Sequence, residues 1–312
     1  MSGKKLYQKL KNNLMHKDYF RKLRIFDGGT GQELINRGLI PQKNLWSATA
    51  LLNENYHKLI LDTHLDFINA GAEIILTNTF GSRKRRLIEN NLLNRYQDLN
   101  TIAGKIAKQA VQFSNKNILI AGSIPPQNFT YQSDLGNDLN FIREAFYQQA
   151  SYLDPYVDFF YLEVMCSKKE CELALEALQP LKKNIVVGLH LKSKGLLPSG
   201  EKFIDVANYI SKFDLSGITA SCVNPDECDF IKNDISKLSV PYGFKFNAFE
   251  QIPEGWKPDG KNTSLLGKRN DITPDEFLKI CERYAKLGAT LIGGCCQITP
   301  NHISKLTKIK KN

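Results

Sequence analysis

The sequence predicts a single (β/α)8 barrel of the α/β class. Three observations predict it: eight short apolar runs rich in β-branched and aromatic residues, room for a helix after each, and polar residues gathered where the runs end. The length of 312 residues is ordinary for such a barrel. A doubly wound open sheet is the alternative, and the count of eight strand–helix units favours closure.

The runs occupy residues 24–29, 73–78, 117–122, 159–164, 185–190, 217–222, 242–247 and 290–295. Nearly continuous apolar runs suit strands buried on both faces of a parallel sheet. The helices between them have readable ends. Asn53 caps a helix that places Tyr56, Leu59, Ile60, Phe67 and Ile68 on one face, and Gly71 stops it. Thr273-Pro274-Asp275-Glu276 is a capping box that opens a helix with Phe277, Ile280, Cys281 and Tyr284 inward, ended by Gly288. Residues 1–22 read as a basic extension and residues 23–312 as the barrel domain.

Composition narrows the function. Hydrophobic residues are 42% and charged residues 24%, which describes a globular chain with a sizeable core. No apolar stretch is long enough to span a membrane, and the first residues lack a signal peptide's apolar segment, so a cytoplasmic protein is expected. The net charge of +10 comes largely from the two ends, in residues such as Lys4, Lys5, Lys9, Lys11 and Lys311, and from Arg83, Lys84, Arg85 and Arg86. With no nucleic-acid recognition motif, these groups read as solvated faces rather than as a polyanion site. Seven cysteines, an odd number in a chain that needs no staples, are expected to be reduced.

In a parallel barrel the chemistry sits at the C-terminal strand ends. There the sequence places Asp27-Gly28-Gly29-Thr30-Gly31, Thr77-Asn78-Thr79-Phe80, Ser123, Glu163, Cys222-Val223-Asn224, Asn247 and Cys295-Cys296. Two strands thus deliver three cysteines to one end. Three thiolates leave one tetrahedral position of Zn²⁺ open, as a catalytic site requires. Cys281 and Cys171 lie on apolar helix faces, Cys228 early in a helix, and Cys166 just past the fourth strand; these four read as packing residues.

The pattern resembles the homocysteine S-methyltransferase family. The segments that carry the resemblance are residues 26–34, Leu45-Trp46-Ser47-Ala48, Thr77-Asn78-Thr79-Phe80, Ala121-Gly122-Ser123, Ser221-Cys222-Val223-Asn224-Pro225, Asn247-Ala248-Phe249, and Gly293-Gly294-Cys295-Cys296 followed by Thr299-Pro300. The resemblance implies the barrel, a catalytic zinc on Cys222, Cys295 and Cys296, and transfer of a methyl group from a small onium donor to homocysteine. A thiolate is the nucleophile in such a step, and zinc holds the substrate sulfur deprotonated.

The resemblance also implies contacts from Asp27 and Glu163 to the substrate ammonium. Its carboxylate would suit backbone N–H groups of Gly28 and Gly29. Trp46 is expected to face the donor's positive centre. Asn78, Ser123, Asn224 and Asn247 are expected as further contacts. Betaine-using members carry aromatics where this chain has Gly81 and Val164, so a sulfonium donor, S-methylmethionine or S-adenosylmethionine, is expected over betaine or a thetin. Two rivals stand beside this reading. One is a lyase or aldolase pairing Glu163 with Lys245 or Lys192, which gives Cys295-Cys296 no role. The other is a non-catalytic basic binding protein with a structural zinc, which would want a fourth protein ligand.

Overall fold

The computed structural model describes residues 17–253, 255–256 and 265–310. Residues 1–16 of the expected basic extension, with Lys4, Lys5, Lys9 and Lys11, lie outside the described residues, as does Lys311.

The apolar runs form β1 (Arg24–Ile25), β2 (Ile74–Leu76), β3 (Leu119–Ile124), β4 (Phe159–Met165), β5 (Ile185–Leu189), β6 (Gly217–Val223), β7 (Tyr242–Phe246) and β8 (Leu291–Gly294). All pair in parallel in the order β1-β8-β7-β6-β5-β4-β3-β2. A bridge from Phe26 to Ile74 and the bond from Asp27 N–H to Ile74 O (2.9 Å) join β1 to β2 and close the barrel.

The outer layer includes the helices α1 (His57–Asn69), α2 (Tyr96–Ser114), α3 (Leu139–Leu153), α4 (Lys168–Leu178), α5 (Phe203–Ile210), α6 (Pro274–Lys286) and α7 (Pro300–Leu306). Thr273 caps α6 by accepting from Glu276 N–H, and Phe277, Cys281 and Tyr284 are buried beneath it. Asn53 caps a single 3-10 turn, Glu54–Tyr56, that feeds α1, and Gly71 at φ +110° ends the element. The outward residues of the strands, such as Phe160, Leu162, Val187 and Ile218, pack with the helices into the larger core.

Inside the barrel, Phe26, Ile74, Leu76, Leu119, Phe159, Tyr161, Val186 and Leu291 form a second core. Its N-terminal end is plugged by the 3-10 turn Lys17–Arg21: Phe20 is fully buried edge-on against Phe159, at 5.2 Å between ring centres. Thr290 Oγ1 donates to Phe20 O (2.7 Å), which ties this plug to the residue before β8. Among the described residues no helix is long and apolar enough to cross a membrane.

Two strands are irregular, at β4 between Leu162 and Met165 and at β6 between Ser221 and Val223. Val164 (φ +63°) and Cys222 (φ +55°) take up the extra residue in the left-handed region. A β-branched residue there is a strained outlier, costing about 1–3 kcal/mol. The bulges break strict alternation, so the neighbours Glu163 and Val164 both line the mouth, and Ser221 and Cys222 both turn inward, Ser221 to the Tyr161 hydroxyl and Cys222 to the mouth.

Candidate active site

The mouth holds a cavity of about 80 Å³ lined by residues that include Gly28, Trp46, Asn78, Glu163 and the three predicted cysteines. Cys222 Sγ lies 3.9 Å from Cys296 Sγ, which lies 4.0 Å from Cys295 Sγ, and all three fall within 4.8 Å of one another. Tetrahedral Zn–S bonds of about 2.3 Å put sulfurs roughly 3.8 Å apart, so the trio fits zinc with little movement. The Cys222 thiol is held well below its usual range by its contacts with Cys295, Cys296 and the Tyr131 hydroxyl, and the contacts with Cys222 push Cys295 and Cys296 up. A site that already favours one thiolate is disposed toward a soft cation. The other cysteines, Cys166, Cys171, Cys228 and Cys281, are buried thiols whose burial pushes them up, in line with packing roles.

Glu163 stands beside the trio. Its carboxylate accepts from the Ser123 hydroxyl, and burial raises it to about 7 against the opposing pull of Ser123 and Lys245. Asn247 Nδ2 donates to Cys222 O (2.7 Å) and its Oδ1 accepts from Phe249 N–H (3.1 Å), so it pins the strained bulge rather than facing the inner cavity. Asn78 donates to Ser47 O (3.1 Å) and holds the Trp46 segment over the mouth. Trp46 is half-buried at φ +51°, edge-on to Phe80 at 6.1 Å. Its indole lies where a side chain on Gly31 would stand, which is why glycine is needed there. Gly81 has no room for an aromatic, since a Cβ would meet Leu45 O.

The structure gives several of the expected residues partners of their own. The Asp27 carboxylate lies beneath the cavity, fully buried, with Oδ1 taking Lys245 Nζ (3.0 Å) and Oδ2 taking Leu76 N–H (2.7 Å). The Gly29 N–H donates to Ile298 O (2.9 Å), and Gly28 lines the inner cavity. Asn224 caps the short helix Pro225–Cys228 and also accepts from Arg269, outside the inner cavity. Arg83 and Arg86 are buried, not solvated. Arg83 donates to Pro126 O (2.9 Å) and Thr130 Oγ1 (3.1 Å) and Arg86 to Thr130 (3.2 Å), stitching the β2 and β3 loops together behind Phe80.

Tyr131 is a member of the site that the sequence reading missed. Its hydroxyl lies 3.2 Å from Cys222 Sγ, and its ring packs on His190 at 4.6 Å and on Trp256 at 6.0 Å. It supplies an aromatic wall that Gly81 and Val164 do not. The available signal was an aromatic pair, Phe129 and Tyr131, in the long polar segment after the third strand, because such loops carry function in barrels. Beyond Tyr131 and Cys222 opens a larger cavity of about 600 Å³, reaching Asn247, Phe249 and Trp256.

Three thiols and a carboxylate at the C-terminal mouth of a (β/α)8 barrel define the class, a barrel enzyme whose centre is built to handle sulfur. Residues 24–309 match the model of the homocysteine S-methyltransferase family, and the chain belongs to that family. It is a methyltransferase, and homocysteine is its methyl acceptor. It is 22% identical to homocysteine S-methyltransferase 2 of Saccharomyces cerevisiae, covering 93% of this chain and 95% of that one. To homocysteine S-methyltransferase 1 of Arabidopsis thaliana it is 25% identical over 91% and 92%. The metallated form of the homocysteine methyltransferase MmuM from Escherichia coli shares the fold with a TM-score of 0.75 at 20% identity, covering 92% and 96% of the two chains.

Proposed function

We propose that the enzyme makes methionine by moving a methyl group from a sulfonium donor, S-methylmethionine or S-adenosylmethionine, to homocysteine at a zinc centre. The observation that carries this reading is the convergence of Cys222, Cys295 and Cys296, from two strands, on one face of the inner cavity. These three residues would hold zinc, which supplies the Lewis acidity that keeps the acceptor thiol ionised near neutral pH.

The chain's own residues do the rest. Glu163 offers a carboxylate to the substrate ammonium, and Ser123 fixes its orientation. Asn247 and Tyr131 hold Cys222 in place, Asn247 through the backbone oxygen and Tyr131 at the sulfur. Trp46, Phe80 and Tyr131 line the approach with π-faces, and an onium over an indole gains about 0.5–2 kcal/mol. The larger cavity beyond Tyr131 and Cys222 gives the donor a way in. Orientation of the methyl in line with the sulfur then supplies much of the acceleration.

A sulfonium is favoured because neither Gly81 nor Val164 adds the aromatics of a trimethylammonium cage. We also place the enzyme in the cytoplasm, a reading supported by seven unbridged cysteines. Metal analysis and X-ray absorption on purified protein, with a donor panel at equal concentration, test the proposal. About one zinc per chain in a sulfur-rich shell, with methionine formed from a sulfonium, is the expected result. Turnover with betaine and with no sulfonium would overturn the donor, and a protein free of zinc when active would overturn the centre.

A further inference from the structure

Arg83 and Arg86 are buried cations that the reading above does not use. Each is 3% exposed, and both stand against Phe80, with guanidinium carbons 5.9 Å and 5.7 Å from its ring centre. Their hydrogen-bond partners among the described residues are uncharged: Pro126 O for Arg83, and Thr130 Oγ1 for both. Lys84, between them in sequence, is by contrast ion-paired with Glu144 at 3.4 Å. Each arginine also keeps one buried nitrogen with no partner, Nε on Arg83 and Nη1 on Arg86.

Two guanidiniums taken out of water beside each other need a counter-charge, because burial strips their hydration and the pair repel. An arginine cannot shed its proton to escape that cost. The carboxylates nearby do not supply the charge. Glu89 is exposed and accepts from Asn44 Nδ2 (2.7 Å). Glu170 accepts from Cys166 N–H (2.9 Å), and burial raises its carboxyl to about 8, so that near neutral pH it is largely uncharged.

We infer that Arg83 and Arg86 together bind one small monovalent anion of the halide class behind Phe80. Guanidiniums that already converge on Thr130 Oγ1 can converge on a second acceptor, and each has a free N–H to give it. Two such donors suffice for a spherical ion of single charge. A phosphate would bring further oxygens that find no donor, each left unsatisfied in the interior. The ion ties the loop that carries Phe80 to the loop that carries Tyr131, and both of these rings line the inner cavity.

The test compares thermal melts of the purified full chain at one pH and one ionic strength, with sodium chloride or sodium bromide replacing sodium gluconate, whose anion is too large to enter. Wild type should melt about 3 °C higher in either halide, with a saturable dependence on its concentration. Arg86→Met should lose that rise. Lys84→Met, which removes a neighbouring charge outside the pair, should keep it. Wild-type crystals grown in bromide should show an anomalous peak in contact with both Arg83 Nε and Arg86 Nη1, a measurement that stands even where a variant does not fold.

Equal melts in halide and gluconate, or the full rise persisting in Arg86→Met, overturn the site. A peak without any shift in the melts marks an adventitious ion only and overturns it too, as does a water in place of bromide between the two arginines.

Discussion

The two ends of the barrel are built from the same inward rows and differ in what those rows carry. Along β4 the row runs Phe159, Tyr161, Glu163, and along β3 it runs Leu119, Ala121, Ser123. On β7 it climbs from Gly243 to Lys245 and on to Asn247 just past the strand. The lower end, closed by Phe20, is hydrocarbon in contact with hydrocarbon. The upper end buries an ion pair, a carboxylate raised to about 7, three thiols and two left-handed residues. Packing in the lower half offsets the strain and desolvation carried by the upper half, which is how one barrel separates stability from chemistry.

That contrast can be broken from either side. The largest effect is expected at the top: Cys296→Ala or Cys222→Ala should abolish methionine formation and drop bound zinc to about a tenth of wild type or less, with far-UV dichroism unchanged. Full turnover and full metal in Cys296→Ala would remove the thiol centre from the picture. Cys281→Ala should cost only packing stability.

At the bottom, Phe20→Ala should lower the unfolding free energy by about 3–5 kcal/mol in urea titrations, while activity per folded molecule stays the same. A loss of specific activity comparable to that of the cysteine variants would show that the two ends are coupled. Lys245→Met alone should be as destabilising, about 3–5 kcal/mol, because it strands the Asp27 carboxylate in the interior; adding Asp27→Asn should restore most of it.

Glu163 sharpens the comparison through pH. Its raised pKa, about 7 against an ordinary 4.5, means the folded chain holds this proton where the unfolded chain has released it. Its contribution to stability therefore falls as pH rises from about 4.5 to about 7 and is level above. Metal-free Glu163→Gln should gain on wild type across that window in thermal melts and by no more beyond it, and a difference independent of pH would refute the assignment. The variant should also bind homocysteine more weakly without losing zinc.

The smallest effect is expected at Trp46→Ala, where donor kcat/KM should fall roughly 10-fold with homocysteine affinity little changed, as loss of a cation–π contact predicts. An effect confined to homocysteine binding would move Trp46 out of the donor's path.

The barrel and the thiol trio were legible in sequence because both are written as local signals. Buried parallel strands read as apolar runs, and cysteines that end such runs must share the mouth. What escaped the reading depends on distant partners or on backbone that opposes propensity. Asp27 finds Lys245 218 positions away, so its role as the lysine's anchor has no local trace. Val164 is a good strand residue by propensity, and nothing nearby announces that it turns left-handed. Arg83 and Arg86 looked like surface charge because the carbonyl and hydroxyl they serve, Pro126 and Thr130, are also set by tertiary structure. Tyr131 sits in a loop with no periodicity to read, and only its chemistry marked it.

The route of the chain through the barrel also sets when the three-thiol cluster can assemble. Cys222 and Cys296 are 74 residues apart, and the second of them arrives on the last strand, which pairs with the first. Contacts of such long range form late, after shorter loops have closed. Until β8 docks, Cys222 stands without its two companion thiols. If the proposed zinc centre is right, metal loading is a terminal event of maturation, because a nascent chain short of its final strand lacks two of the three thiols.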